Sequence, residues 1–238
     1  NREIMELKNA RIIITGGTSG LGKAMAILLL EKGAKVIITG RDEAKLNQVA
    51  KKIGAIHFHA DVSNEQDVKA TYQFTIKELG GLDVLINNAG IGTARKPIDE
   101  LDINEMRRIY DVNVFGAAMM AKEAALIFKK QKSGNIVNIA STAALNGYEG
   151  GTIYSSSKFA LRGLSFNWQA DLRKLNVRVM NINPSYVTTA FNQADRKERA
   201  EEENKLRPNE IALATVSALE MDSRGYIPEL TVHATNPF

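Results

Sequence analysis

A single doubly wound α/β domain is the fold class this sequence predicts, and three observations predict it. Short β-branched runs alternate with segments of helical composition along the whole chain, which argues a mostly parallel sheet covered by helices on both faces. A glycine-rich turn, Gly16-Gly17-Thr18-Ser19-Gly20-Leu21-Gly22, joins the first of these runs to the first helical segment. The chain has 238 residues with no linker, repeat or low-complexity stretch, which fits one domain. We take residues 5–238 as that domain and leave Asn1–Ile4, which precede Met5, out of the fold argument.

The elements follow in order. Ala10–Thr15 is a buried strand by length and β-branching, and Lys23–Lys32 a helix that ends at Gly33. Lys35–Thr39 is the second strand, Asp42–Ile53 a helix and Ala55–His59 the third strand. Asn64–Leu79 is helical and closes at Gly80-Gly81; Leu82–Ile86 is the fourth strand. Ile91–Leu101 reads as a loop and Asn104–Lys130 as one long helix, with Asn113 an unfavourable residue inside it. Asn135–Ala140 is the fifth strand, Thr142–Thr152 a loop, Ile153–Lys174 a helix and Asn176–Asn183 the sixth strand. Residues 190–207 are highly charged and poor in apolar residues, so they are expected to form a solvated helix or mobile lid. Pro208 opens a last helix, and Tyr226–Val232 is the seventh strand.

Composition removes several functional classes. There is no cysteine, so disulfides and thiolate metal sites are excluded, and His57 and His59, on one face of a strand, read as structural. No metal site is expected. The formal charge of +4 is scattered rather than clustered, which argues against a nucleic-acid partner. No apolar run approaches the ~20 residues of a membrane span, and no signal peptide is visible, so the expected location is cytoplasmic. Val112–Ala121 and Phe159–Leu172 are apolar over more than one face. Helices of that kind suggest self-association, as a homodimer or homotetramer.

The candidate chemistry lies at the carboxyl ends of the strands, where sheets of this kind bind ligands. Strand, glycine turn and helix together present free N–H groups and partial positive charge to a pyrophosphate. Past the second strand, where a carboxylate for a ribose 2′-hydroxyl is expected, the chain has Gly40 and then Arg41. A guanidinium there suits a 2′-phosphate, which favours NADP(H) and leaves NAD(H) as the alternative. Asp61 and Val62 follow the third strand, and Asn87-Asn88-Ala89-Gly90 the fourth. Ser141 follows the fifth strand. Tyr154 and Lys158 are four residues apart, one turn on one helix face. A nearby ammonium favours the phenolate, so such a Tyr is suited to exchange a proton with a carbonyl or alcohol oxygen.

Taken together, TGGTSGLG (Thr15–Gly22), Asp61-Val62, NNAG (Asn87–Gly90), Asn113, Ser141, YSSSK (Tyr154–Lys158) and Pro184…Thr189 resemble the short-chain dehydrogenase/reductase family, from Arg11 to about Val232. The resemblance implies a Rossmann fold and an NADP-dependent oxidoreductase that interconverts a carbonyl and a secondary alcohol. By resemblance, Tyr154 is the general acid/base, Lys158 lowers its pKa and holds the nicotinamide ribose, and Ser141 positions the substrate oxygen. Asn113 breaks its helix locally and holds a water that relays protons to Lys158. Gly16, Thr18, Ser19, Gly20, Leu21 and Gly22 line the pyrophosphate and adenosine side, and Asp61 and Val62 contact adenine. Asn88, Ala89 and Gly90 pass beside the adenosine ribose, and Val187 and Thr189 hold the carboxamide end and the phosphate. A non-catalytic NADP-binding sensor of the same fold is the alternative. Two departures bear on the substrate: Ser185 stands where the family usually has glycine after Pro184, and the frequent carboxyl-terminal Asp-Gly-Gly is absent. The partner is a small carbonyl or alcohol whose identity stays open, with Ala94, Leu145, Asn146, Tyr186 and Phe191 as expected pocket residues.

Overall fold

The structure, a computed structural model, describes residues 6–191 and 199–237. Strands β1 (Arg11–Thr15), β2 (Lys35–Gly40), β3 (Ile56–His59), β4 (Val84–Asn87), β5 (Gly134–Ile139), β6 (Val177–Pro184) and β7 (Glu229–Val232) form one sheet in the order β3-β2-β1-β4-β5-β6-β7. Every pairing is parallel, so the mixed edge that the sequence left open does not occur. Helices α1 (Gly20–Glu31), α2 (Glu43–Ile53), α3 (Glu65–Leu79), α4 (Ile103–Tyr110), α5 (Ala117–Gln131), α6 (Thr152–Leu172) and α7 (Pro208–Leu219) cover both faces.

β1 shows why the sheet is buried on both sides. Successive side chains of a strand point to opposite faces. Ile12 and Ile14 enter the core under α1, α2 and α7, whereas Ile13 enters the one under α3, α5 and α6. All three isoleucines are fully buried, each contributing about 1.5–3 kcal/mol. The order of winding reverses between β1 and β4, which places the switch-point crevice between the Gly16–Gly22 turn and the Asn87–Gly90 turn.

Local chemistry sets the helix ends. Asp42 accepts from the Lys45 N–H, and Asn64 from those of Gln66 and Asp67, so α2 and α3 are capped by side chains. Helix α1 differs: it starts at Gly20 rather than Lys23, and its N-cap Ser19 makes no side-chain cap bond. The long helix expected over 104–130 is interrupted. Asp111–Gly116 is a π-helical turn between α4 and α5, and it carries Asn113.

On the outer faces of α5 and α6 and the preceding π-turn, Phe115, Leu126, Phe159 and Phe166 stay exposed in the single chain, so these segments are not buried on every side by the chain itself. The expected lid at 190–207 falls partly outside the described residues; its described end returns to the body through a bridge between Val187 and Leu206. Among the described residues no helix is long and apolar enough to cross a membrane, and no group of three metal-binding side chains occurs.

Candidate active site

The glycine turn and the Asn88 turn are built as one unit. Thr15 Oγ1 accepts from the N–H groups of both Asn88 and Ala89 at 3.0 Å, and Asn88 Nδ2 donates to the carbonyls of Thr15 and Gly16 at 2.9 and 3.1 Å. Gly16 has φ +66°, a conformation that glycine adopts without steric cost. A Cβ on Gly22 would lie 2.5 Å from both Asn88 Nδ2 and Gly16 O. The tight approach brings the uncapped N-terminus of α1 to the floor of a cleft of about 820 Å³.

At one end of the cleft, Arg41 follows β2 and is about half exposed. Its Nη1 lies 3.7 Å from Asp61 Oδ2, and Thr18, Asp42 and Lys45 line the wall around it. Asp61 also accepts from the Ser63 N–H and Oγ, at 2.9 and 2.7 Å. It therefore closes the turn, while Asn64 caps the helix beyond.

The proton-transfer candidates lie in the middle. β5 delivers Ser141, whose Oγ accepts from the Ala143 N–H at 3.1 Å and whose side chain favours the Tyr154 phenolate. Burial pushes the Tyr154 phenol well above its ordinary value, the bond from Ser141 opposes this, and Tyr148 adds to the rise. Lys158 is almost wholly buried, and its Nζ donates to the Ile139 carbonyl at 2.9 Å. Burial pushes its ammonium down to about 8. Its Nζ lies 5.8 Å from the Tyr154 ring centroid. In this geometry burial and Ser141, rather than the ammonium, govern the phenol.

Asn113 explains the π-turn. Its Oδ1 accepts from the Ile91 N–H at 2.8 Å, and its Nδ2 donates to the Ile91 carbonyl at 3.0 Å and to Ser157 Oγ at 3.2 Å. One side chain thus ties the loop after β4 to the helix that carries Tyr154 and Lys158. π-Bulges of this sort are frequent at functional sites.

The structure brings most of the sequence-predicted residues to this cleft: Gly16, Thr18, Ser19, Gly20, Leu21, Arg41, Asp61, Val62, Asn88, Ala89, Gly90, Ser141, Tyr154, Lys158, Val187 and Thr189 all line it. Gly22 and Asn113 stand behind the wall and shape it. Of the expected pocket residues, Asn146, Tyr186 and Phe191 line the cleft, but Ala94 and Leu145 do not. Thr93, Arg95, Tyr148 and Arg199 line it without having been expected. The available signal was position: Thr93, Arg95 and Tyr148 lie on loops that leave the carboxyl ends of β4 and β5.

The family model for short chain dehydrogenases matches residues 10–200. The chain belongs to the short-chain dehydrogenase/reductase family. An uncharacterised oxidoreductase of Staphylococcus aureus is 34% identical over 227 residues, covering 92% of this chain and 95% of the relative. Among solved structures, the closed form of serine dehydrogenase complexed with NADP+ superposes with a TM-score of 0.86 at 26% identity, over 93% of both chains. The 3-ketoacyl-(acyl-carrier-protein) reductase of Brucella melitensis, complexed with NADH, gives 0.86 at 25% identity, over 98% of this chain and 100% of that one. The chain is thus an NAD(P)-dependent oxidoreductase of the short-chain dehydrogenase/reductase family with the family's seven-stranded parallel sheet.

Proposed function

We propose that this protein prefers NADP(H) and interconverts a carbonyl and a secondary alcohol, with Tyr154 as the group that gives or takes the proton. The observation that carries the reading is convergence: Ser141, Tyr154 and Lys158 line the same cleft that the glycine turn opens into, with the Lys158 ammonium 5.8 Å from the Tyr154 ring. The residues present fit a dinucleotide, because the glycine turn lines the cleft and the first N–H groups of α1 are not capped by a side chain. When bound, such a cofactor supplies a hydride to the carbonyl carbon, or accepts one from the alcohol carbon.

The remaining work belongs to the chain. Ser141 and Tyr154 hold the substrate oxygen, and the phenol delivers a proton to it in the reducing direction, or removes one in the other. A phenol raised by burial is a weak acid, so its activation requires positive charge nearby. Lys158 is the cation placed to provide that charge, and the Asn113 clamp fixes the helix carrying both groups against the Ile91 loop. The glycine turn, with Thr189 beside Gly20, would hold the pyrophosphate, and Asp61 and Val62 the adenine. Arg41 would take the 2′-phosphate. Its contact with Asp61 is a half-exposed pair worth about 0–1 kcal/mol, less than the roughly 1.5–3 kcal/mol of a hydrogen bond to a charged group, so the pair yields to a phosphate.

Tyr154→Phe tests the reading. It should retain NADPH binding, measured by the change in nicotinamide fluorescence, and lose about 10²–10⁴-fold in turnover, the usual share of general acid catalysis. Near-normal turnover in the Phe variant would remove Tyr154 from the chemistry.

A further inference from the structure

Among the described residues, the end of the cleft beyond Tyr154 carries cationic side chains and no acidic one. Among the described residues, the acidic ones that line it, Asp42 and Asp61, both lie at the Arg41 end, whereas Arg95 and Arg199 line the other. Arg199 is already engaged: it donates to Glu202 at 3.1 Å and to the Tyr186 hydroxyl. Arg95 is not. Its guanidinium carbon sits 4.9 Å from the centre of the Tyr148 ring, and among the described residues no carboxylate pairs with it.

Backbone contacts fix the base of that side chain. The Lys96 N–H donates to the Gly150 carbonyl at 3.3 Å. Gly150 has φ +70°, and a Cβ there would lie 2.8 Å from Arg95 Cβ. The Tyr148 ring lies against Gly151, where a Cβ would be 2.7 Å from the ring, and Gly151 caps the helix that carries Tyr154. Two loops are thus locked together, with Arg95 on Tyr148 and Tyr148 on the start of α6. Arg95, Tyr148 and Tyr154 all line this one cleft.

We propose that the substrate is an oxo or hydroxy acid, and that Arg95 receives its carboxylate while Ser141 and Tyr154 hold the carbonyl or hydroxyl oxygen. This rests on the proposed carbonyl–alcohol chemistry. The planar fork of one guanidinium matches a carboxylate bidentately. A single unpaired cation suits a monoanion. Stacking on Tyr148 costs the guanidinium none of its in-plane N–H groups.

The test pairs a panel of aliphatic and aromatic oxo acids with their methyl esters, followed by NADPH absorbance, in the wild type, Arg95→Ala and Arg95→Lys. The wild type should favour acid over ester by at least about ten-fold in kcat/KM, the effect of one charge-assisted bond. Arg95→Ala should bring the ratio towards one, mainly through KM for the acid, and Arg95→Lys should restore part of it. Esters or phosphate esters used as well as the acids, or a ratio unmoved by Arg95→Ala, would overturn the proposal while leaving the carbonyl–alcohol reading intact. Should neither acid nor ester be turned over, that reading fails for the panel. Calorimetry of the same acids on the NADP+-loaded protein then decides the carboxylate site: binding lost in Arg95→Ala supports it, and equal binding of acid and ester overturns it.

Discussion

Replacing Gly22 by alanine should weaken the fold and the dinucleotide site together, and the structure sets the size of the effect. The added Cβ would stand 2.5 Å from Gly16 O and 2.5 Å from Asn88 Nδ2, against the 3.4 Å or more of ordinary contact. The glycine turn and the Asn88 side chain must therefore give by about 0.9 Å. Overpacking of this kind costs about 1–3 kcal/mol. Displacing Asn88 Nδ2 from the Thr15 and Gly16 carbonyls adds roughly 1 kcal/mol. Alanine's helix propensity returns up to about 1 kcal/mol. The net loss is about 1–3 kcal/mol, and a turn moved by nearly 1 Å no longer presents its N–H groups to a pyrophosphate. Urea unfolding reads the first effect and NADPH fluorescence titration the second. Gly163→Ala is the control, because it lies exposed in α6 with nothing within 4 Å of its Cβ position. It should stabilise by roughly 0.5–1 kcal/mol and leave the titration unchanged. A Gly22→Ala protein with wild-type stability and NADPH affinity would refute the close-approach argument.

Arg41→Ala should lower the NADPH/NADH ratio of kcat/KM by roughly ten- to a hundred-fold, the equivalent of about 1.5–3 kcal/mol; an unchanged ratio would dissociate Arg41 from cofactor choice. Lys158 has a folded pKa of about 8, below its ordinary 10.5, so between these values the unfolded chain binds more protons and stability rises with pH. Lys158→Met should therefore abolish the wild type's rise between pH 8 and 10 and raise stability at pH 7 by about 2 kcal/mol, once the stranded Ile139 carbonyl is allowed for; urea unfolding at pH 7 and 9.5 that shows identical slopes in the two proteins would contradict it.

The sheet was legible in the sequence because its evidence is local. Ile12–Ile14, Val36–Ile38 and Ile136–Val137 are β-branched runs bounded by turn residues, and all lie in strands. The start of α1 was misplaced by three residues for a physical reason. Gly20 and Gly22 look like loop by propensity, but the first turn of this helix takes glycine because another turn presses on it. Asn113 was visible as an anomaly, whereas its cause was not: the Ile91 backbone it clamps is 22 residues away in sequence. Pocket residues were least legible. Ala94 and Leu145 were expected, yet Arg95 and Tyr148 face the cleft. Which way those loop side chains turn depends on the contact of Gly150 with Arg95 and Lys96, more than fifty residues apart along the chain.

Lys158 shows how the stability of this fold and its function oppose each other. An ammonium has three donors, and here one of them meets the Ile139 carbonyl while the side chain lines the cleft. A methionine-like side chain of similar length would sit in the same place without the penalty that depresses the ammonium to about 8. The charge is thus costly to the empty fold and useful only to something that enters the cleft. A group that accepts hydrogen bonds from Nζ favours the charged form and raises its pKa again. Protonation and occupation of the cleft are then linked, so a dinucleotide that contacts Nζ recovers free energy that folding alone leaves unrecovered. In the proposed reaction an ammonium held charged in this way would oppose the rise that burial gives the phenol.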